Sequence, residues 1–428
     1  MRYLAVFLVL LLAIQAQAQT VDLAEGNGLR WYKGNTHTHS LWSDGDAAPE
    51  LAVKWYRDRD YDFLALSDHN IMLDVEMWFP IIDDSESRLT TARVDELRAT
   101  FGKDWVIVQQ RGPRASMRLK TLIELKARFE APGEFLLIPA EEITSPVVHV
   151  NAINLREKIL QAQERGDYAI RRMLKANFEA VDEQSKRLGI PMFAHLNHPN
   201  WDKGVTAEDI IDAGGERFFE VFNGHAGVRN WGDEPRHLQS TDRLWDIILA
   251  MRMKAGARNP MYGMGTDDSH NYFKWGVGEV NPGRGWVQVL AAELTPEAVV
   301  EAMKAGRLYA TSGVTLGSVK ADEKGVSMTI RGERGVTYKT EFIGTRKGFK
   351  SESEPVRDAS GEPIPWVTRV YSDEIGQVLK STNENPARYT FSGDEYYVRA
   401  RVTSSKPKEN PFAQGDFEMA WTQPIQLP

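Results

Sequence analysis

The chain has 428 residues, 42% of them apolar and 26% charged, with a formal charge of −8 and no cysteine. That length suits two domains, or one large barrel with an appendage, and an acidic balance without any basic run excludes nucleic acid and anionic membrane surfaces as charge-driven partners. Lacking cysteine, the protein has no disulfides, no thiol nucleophile and no thiolate-bound zinc, so its stability falls to core packing and bound metal.

Residues 1–18, MRYLAVFLVLLLAIQAQA, carry Arg2, an apolar stretch and the small-x-small ending Ala16-Gln17-Ala18. This reads as a secretory signal cleaved before Gln19, giving a periplasmic or secreted protein. The apolar run is too short to span a bilayer comfortably and no later one is longer, so no stable membrane insertion is expected after cleavage.

Past the leader, β-rich apolar runs at 29–32, 63–66, 106–108, 135–138, 191–194, 218–222 and 262–266 alternate with amphipathic helical patterns at 48–59, 171–188 and 244–256. Strands separated by helices imply parallel βαβ units, hence an α/β barrel or doubly wound sheet. Residues 111–118 are basic and irregular and read as an exposed loop near a pocket mouth. Thr295-Pro296-Glu297 supplies an N-cap, a proline at the first helical position and an early acid, opening a helix that Gly306 ends. After about residue 312 helical periodicity fades. Short strand-like runs at 326–330, 338–343, 387–391 and 396–402 then stand between turns, the pattern of a small β-sandwich.

The nine histidines carry the chemistry. His37 and His39, two apart at an expected strand end, share a face and can reach one ion. Asp44 follows in a loop, and Ser67-Asp68-His69 closes the next strand. Of Glu141 and Glu142, which follow the run at 135–138, Glu142 is preferred as a carboxylate bridging two cations. His149 lies in a strand-like run where, in isolation, a hydrogen-bonded core histidine is the plainer reading. His195 and His198 come after another strand, and His198, fixed by Pro199, is the preferred ligand of the two. Asp268 and His270 repeat the two-residue spacing, with Asp267 turned away as a hydrogen-bonding partner. Imidazole and carboxylate are common donors to divalent ions, and their succession at strand ends points to one multinuclear metal site. No G-x-S-x-G elbow supports a serine nucleophile.

The H-x-H pair, the loop acid, Ser67-Asp68-His69, Glu142-Ile143-Thr144, Asn197-His198-Pro199 and the D-x-H ending, in this order, resemble the PHP (polymerase and histidinol phosphatase) superfamily over roughly residues 31–315. Within it the chain looks closest to the exported CehA/McbA-like metallohydrolases, which share segments like Glu220-Val221-Phe222-Asn223-Gly224 and Tyr309-Ala310-Thr311-Ser312-Gly313. The resemblance implies an α/β fold: a distorted (β/α)7 barrel at 25–315, followed by a small β-sandwich-like C-terminal domain at 316–428. It also implies two or three divalent ions (Zn, Mn or Fe) at the rim where such barrels place their chemistry. Carried over by motif, the ligands are His37, His39, Asp44, His69, Glu142, His149, His198, Asp268 and His270. One departure stands out: the position of Asp44 is often histidine in the phosphatase branch, which leaves occupancy by a third ion open.

The implied activity is hydrolysis of a small anionic ester, a phosphomono- or diester. Close cations make hydroxide available near neutral pH and stabilise charge on both attacking and leaving oxygens. Hydrolysis of carboxylic or carbamate esters, as in the CehA/McbA type, is the alternative, and a non-catalytic extracellular binding protein is the third reading. Outside the ligands, His195, His225 and Arg229, with Arg111, are candidates for binding an anion or protonating a leaving group. In the tail, Trp366, Tyr371 and Trp421 read as sandwich core rather than as a carbohydrate platform.

Overall fold

The computed structural model describes residues 20–201, 204–215 and 217–427, so the expected leader at 1–18 lies outside the described residues. The fold is mixed α/β, organised on one sheet of fourteen strands. In chain order these are β1 (Arg30–Asn35), β2 (Phe63–Leu66), β3 (Leu136–Thr144), β4 (His149–Ile153), β5 (Phe193–Leu196), β6 (Phe218–Asn223) and β7 (Tyr262–Thr266). Then come β8 (Trp286–Ala291), β9 (Leu308–Thr311), β10 (Tyr338–Arg346), β11 (Gln377–Thr382), β12 (Glu395–Pro407), β13 (Phe417–Thr422) and β14 (Ile425–Gln426). Their spatial order is β7-β6-β5-β4-β3-β2-β1-β8-β9-β13-β12-β10-β11, with β14 on β12.

The helices that cover it are α1 (Pro49–Arg57), α2 (Thr91–Phe101), α3 (Leu122–Phe129), α4 (Ala169–Leu188), α5 (Ala207–Ala213), α6 (Thr241–Lys254) and α7 (Pro296–Lys304). Local chemistry explains their limits. Thr295 accepts the Ala298 N–H at 3.2 Å with Pro296 behind it, and Gly306 leaves α7 at φ +74°. Helix α6 starts earlier than the expected 244 because Ser240 caps it, accepting the Arg243 N–H at 3.2 Å. Strand β5 starts later than the expected 191, past Pro191, which has no N–H for a ladder.

Strand directions depart from uniform βαβ alternation. The pairs β1–β2, β2–β3, β5–β6 and β6–β7 are parallel, but β3–β4 and β4–β5 are antiparallel. The expected 135–138 strand runs on to Thr144 and turns directly into β4 as a hairpin, with Val147 at φ +71° in the turn. The β7-to-β1 part of the sheet curls back on itself: Thr38, just past β1, bridges Ser269, just past β7, in parallel register.

The 111–118 loop reading is corrected. Val108–Arg111 and Arg114–Arg118 pair as a hairpin around Gly112 (φ +64°) and, with Trp78–Pro80, form a separate three-stranded sheet. Exposed Arg111 and Arg114 precede the adjacent buried Ser116 and Met117, so the run carries no alternation from which a strand could be read. The tail runs are strands as expected, and because β13 pairs with β9, those at 338–343 and 396–402 continue the main sheet. A second sheet of Val21–Ala24, Leu316–Ala321, Gly325–Ile330 and Ala387–Thr390 shares an apolar cluster with β10 and β12.

Candidate metal centre

One rim of the curled sheet collects the histidines and acids. His37 and His39 extend from β1, His69 from β2, His198 from β5, and Asp268 and His270 from β7, while Glu142 lies near the end of β3. Strand β4 runs against β3, so its first residue, His149, reaches the same rim. Reversed polarity therefore brings in a histidine that its own sequence neighbourhood did not single out. Closure sets the register of the two spaced pairs: the His39 N–H donates to the Ser269 carbonyl at 3.0 Å, and the Asp268 N–H to the His37 carbonyl at 3.0 Å.

The donor atoms form four overlapping groups, within each of which they lie no more than 4.8 Å apart. They are His37–Glu142–His198, His37–His39–Asp268, His69–Glu142–His149 and His39–Asp44–His69–His270. All nine candidates read from the sequence are in these groups. Asp268 Oδ1 is 3.2 Å from both His37 Nε2 and His39 Nε2. Glu142 Oε2 is 3.3 Å from His39 Nε2, and Oε1 is 3.5 Å from His37 Nε2 and from His198 Nε2. Asp44 stands 3.3 Å from the Nε2 atoms of His69 and of His270. These spacings match the edge, about 3.3 Å, of a tetrahedron of donors placed ~2.0–2.1 Å from one cation.

Unmet bonding capacity points the same way. His37 Nε2, His39 Nε2 and Glu142 Oε2 are buried with no hydrogen-bond partner among the described residues, whereas buried polar atoms are normally paired. The Nδ1 atoms of His37 and His270 are already engaged. His37 Nδ1–H donates to Glu220 Oε1 at 2.7 Å, and His270 Nδ1–H to the Asp268 carbonyl at 2.8 Å, leaving the bare Nε2 of each facing the acids. The donor set therefore fits divalent cations.

Electrostatics agrees. Burial lowers the His37 imidazole, but Asp268, Glu220 and Glu142 outweigh it and hold the pKa well above the usual range. At His69 burial opposes Glu142 and Asp44, and the carboxylates win, pushing it up to about 11. His39 is pulled down to about 3 by burial, with repulsion from His270 and His69 adding to it. Burial raises Glu142 and Asp268, yet the facing histidines hold both well below the carboxylate range. The carboxylates that raise His37 and His69 attract cations by the same field.

Several supporting residues are revealed by the structure. Glu220, within the wholly buried β6, accepts from His37 Nδ1, Thr266 Oγ1 (2.8 Å), the His198 N–H (2.7 Å) and Asn223 Nδ2 (2.7 Å). An acid inside an apolar strand was the signal available for it, since buried carboxylates require partners. Asn197 Nδ2 donates to Glu142 Oε1 at 2.7 Å. Asp68 clasps the loop that carries Asp44, accepting from the Ser40 N–H (2.8 Å), Ser40 Oγ (2.9 Å) and Ser43 Oγ (2.7 Å). Asp267 does turn away, taking Tyr56 Oη at 2.8 Å and the N–H groups of Gly283, Arg284 and Gly285 at 2.6–2.8 Å. Two cluster residues, His198 (φ +23°) and Asp268 (φ +50°), occupy left-handed backbone, a cost of order 1–3 kcal/mol each that is typical of functional sites.

The proposed acid–base residues lie around this core. His195 is fully buried behind His37, with Nε2 3.1 Å from Thr36 Oγ1 and Nδ1 3.7 Å from Glu220; burial lowers it to about 4. His225 packs 5.4 Å from the His270 ring, and its Nδ1 accepts the Gly227 N–H at 2.9 Å, which puts its own proton on Nε2. Arg229 is held within its loop by the Gly227 carbonyl (2.9 Å) and Asp233 (3.2 Å). Arg111 is exposed on the separate hairpin, over the Trp78 ring.

No family model and no curated protein matches this sequence. Among solved structures, the chain is similar to a two-domain protein from Bacteroides vulgatus containing a predicted PHP-like metal-dependent phosphoesterase. The identity is 18% over 95% of this chain and 98% of that one, with a TM-score of 0.38. So distant a likeness decides nothing about the site, which rests on its own geometry.

Proposed function

We propose that this protein is a metal-dependent hydrolase of small anionic esters, with phosphomono- or diesters as its substrates. The observation that carries the reading is the overlap of the four donor groups: Glu142 belongs to two of them, as do His37, His39 and His69, so the set suits two or three cations side by side. Bound divalent ions supply an acidified water and positive charge for the substrate's oxygens, which suits displacement at phosphorus.

The chain's own residues do the rest. Glu220 fixes the His37 tautomer, Asn197 orients the shared carboxylate of Glu142, and Asp68 holds the Asp44 loop against the rim. His225, with its proton on Nε2 beside His270, is the candidate donor to a substrate or leaving-group oxygen. Arg229 supplies a cation for an anionic substrate at the same loop. The same reading takes β1–β7 as a distorted (β/α)7-type barrel, residues 316–428 as its sandwich-like appendage, and residues 1–18 as an export signal.

Elemental analysis of the purified protein, followed by an ester panel with Zn, Mn and Fe, tests this. Turnover of p-nitrophenyl phosphate or its bis ester is expected. Hydrolysis of 1-naphthyl acetate or a naphthyl carbamate without phosphate turnover would move the assignment to carboxylic and carbamate esters. Bound metal with no turnover of any ester would make the protein a binder. Export is checked by fractionation and N-terminal sequencing, with Gln19 expected first.

A further inference from the structure

A second cleft, of about 590 Å³, opens between α1, the 275–286 loop and the 408–418 segment of the tail. That volume lies within the range of small-molecule sites. Its walls are aromatic: Trp55 and Trp275 stack at 5.9 Å with 23° between their planes, and Trp286 and Tyr61 stand edge-on at 6.1 Å. Two ammonium groups flank the Trp286 ring, Lys33 Nζ at 4.8 Å and Lys408 Nζ at 4.9 Å from its centroid. Burial lowers Lys33 against the pull of Asp267, and it takes Lys408 down to about 8 against Asp267 and Glu418, with Lys33 adding to the fall; Glu409 and Glu418 also line the cleft. Neither ammonium has a carboxylate within ion-pair distance among the described residues: Lys33 donates to the Arg59 carbonyl at 3.0 Å, and Lys408 to the Ser312 carbonyl.

The wall also holds donors with nothing to accept them. Trp55 Nε1, Trp286 Nε1 and Tyr61 Oη are buried with no hydrogen-bond partner among the described residues, and Tyr61 is only 3% exposed. Each ammonium gives one of its three N–H donors to a backbone carbonyl, and among the described residues no carboxylate takes the others, which leaves them for acceptor atoms in the cleft. A glycine keeps it open: at Gly283 (φ +85°) a Cβ would stand 2.9 Å from the Trp55 ring.

We infer that this cleft is a second binding site, separate from the metal centre, for a small ring compound bearing a carboxylate, either a sugar acid or an aromatic acid. The flat indole faces take the ring, and Lys33 and Lys408 take the carboxylate. The wall is tied to the metal rim, because the Gly283, Arg284 and Gly285 N–H groups all donate to Asp267, the neighbour of Asp268. This site stands whether or not the centre hydrolyses esters.

Calorimetry and saturation-transfer NMR on the full chain, with D-glucuronate against D-glucose and benzoate against benzyl alcohol, test it. Saturable binding of at least one carboxylate is expected, tenfold or more tighter than its neutral counterpart; whichever arm responds identifies the ring. Lys408→Met should weaken it tenfold or more, Lys408→Arg should restore most of it, and Trp275→Ala, at a 48% exposed ring, should weaken it without moving the thermal transition. Binding should also survive treatment with a metal chelator. The inference fails if neither carboxylate binds, if the neutral compounds bind as well, if Lys408→Met and Trp275→Ala both bind like the parent, or if chelation abolishes binding.

Discussion

At the residue scale, the centre depends on groups that never face it directly. Glu220 is the clearest case, since its Oε1 accepts the His37 Nδ1 proton and so presents a bare Nε2 to the acids. Glu220→Gln should lower metal affinity or turnover by about 10–100-fold, the usual effect of losing such a partner, with the fold kept. Equilibrium dialysis with elemental analysis, alongside far-UV circular dichroism, reads both. A steric counterpart is Gly45, where a Cβ would lie 2.7 Å from the His39 carbonyl carbon and from the Ser40 nitrogen. Gly45→Ala must displace the loop that carries Asp44, so stability should fall by roughly 1–3 kcal/mol, as for other overpacked positions, and turnover should fall with it; unfolding in urea and ester kinetics check the two effects. The two spaced pairs and the strand-end residues stood out from spacing because strands deliver ligands from their ends, but the full set of nine, His149 included, came from the family resemblance. Glu220 and Asn197 did not stand out, because hydrogen-bond partners across a sheet leave no periodic mark in the chain.

At the element scale, helix α6 and strand β12 are joined through buried charge. Arg399 bonds Asp246 through Nε at 2.9 Å and Nη2 at 2.7 Å, Tyr397 Oη donates to Asp246 Oδ1 at 2.7 Å, and Arg401 Nη1 reaches Asp242 at 2.9 Å. Removing one partner strands the other, so Asp246→Ala should cost about 3–5 kcal/mol, read from urea unfolding. Burial raises Asp242, but Arg399 and Arg401 override it, and its folded pKa lies below the ordinary 3.8. Its stabilising contribution is therefore complete above that value and is lost as pH falls through the folded pKa. The stability gap between the parent and Asp242→Asn should be constant from pH 7 to 5 and close below about pH 4. A gap unchanged down to pH 3 would contradict this. Periodicity and one cap foretold four of the seven helices and about half of the strands, but no local pattern could show that β4 runs antiparallel or that part of the tail extends the main sheet, since both are decided by partners distant in the chain.

For the whole molecule, three carboxylates, Asp44, Glu142 and Asp268, meet within one rim, and cations that bind there stabilise the folded state by mass action. An ion present at a hundred times its dissociation constant adds about 2.7 kcal/mol. Chelation should therefore lower the thermal midpoint, and restoring the metal should recover it; scanning fluorimetry measures both, and a midpoint indifferent to chelator would argue against bound metal. The same rim shows where sequence and tertiary structure divide the work. The sequence by itself determined the mixed α/β character, the Thr295 cap of α7, the order of histidines and acids along the chain, and the absence of thiol chemistry, because each is a matter of local pattern or composition. Only the tertiary structure decided that nine side chains from seven segments converge, that Glu142 is shared between donor groups, that Glu220 supports His37, and that the tail helps wall a second cleft. Convergence depends on how the sheet curls until Thr38 meets Ser269, and that closure arises from long-range strand pairing and packing together.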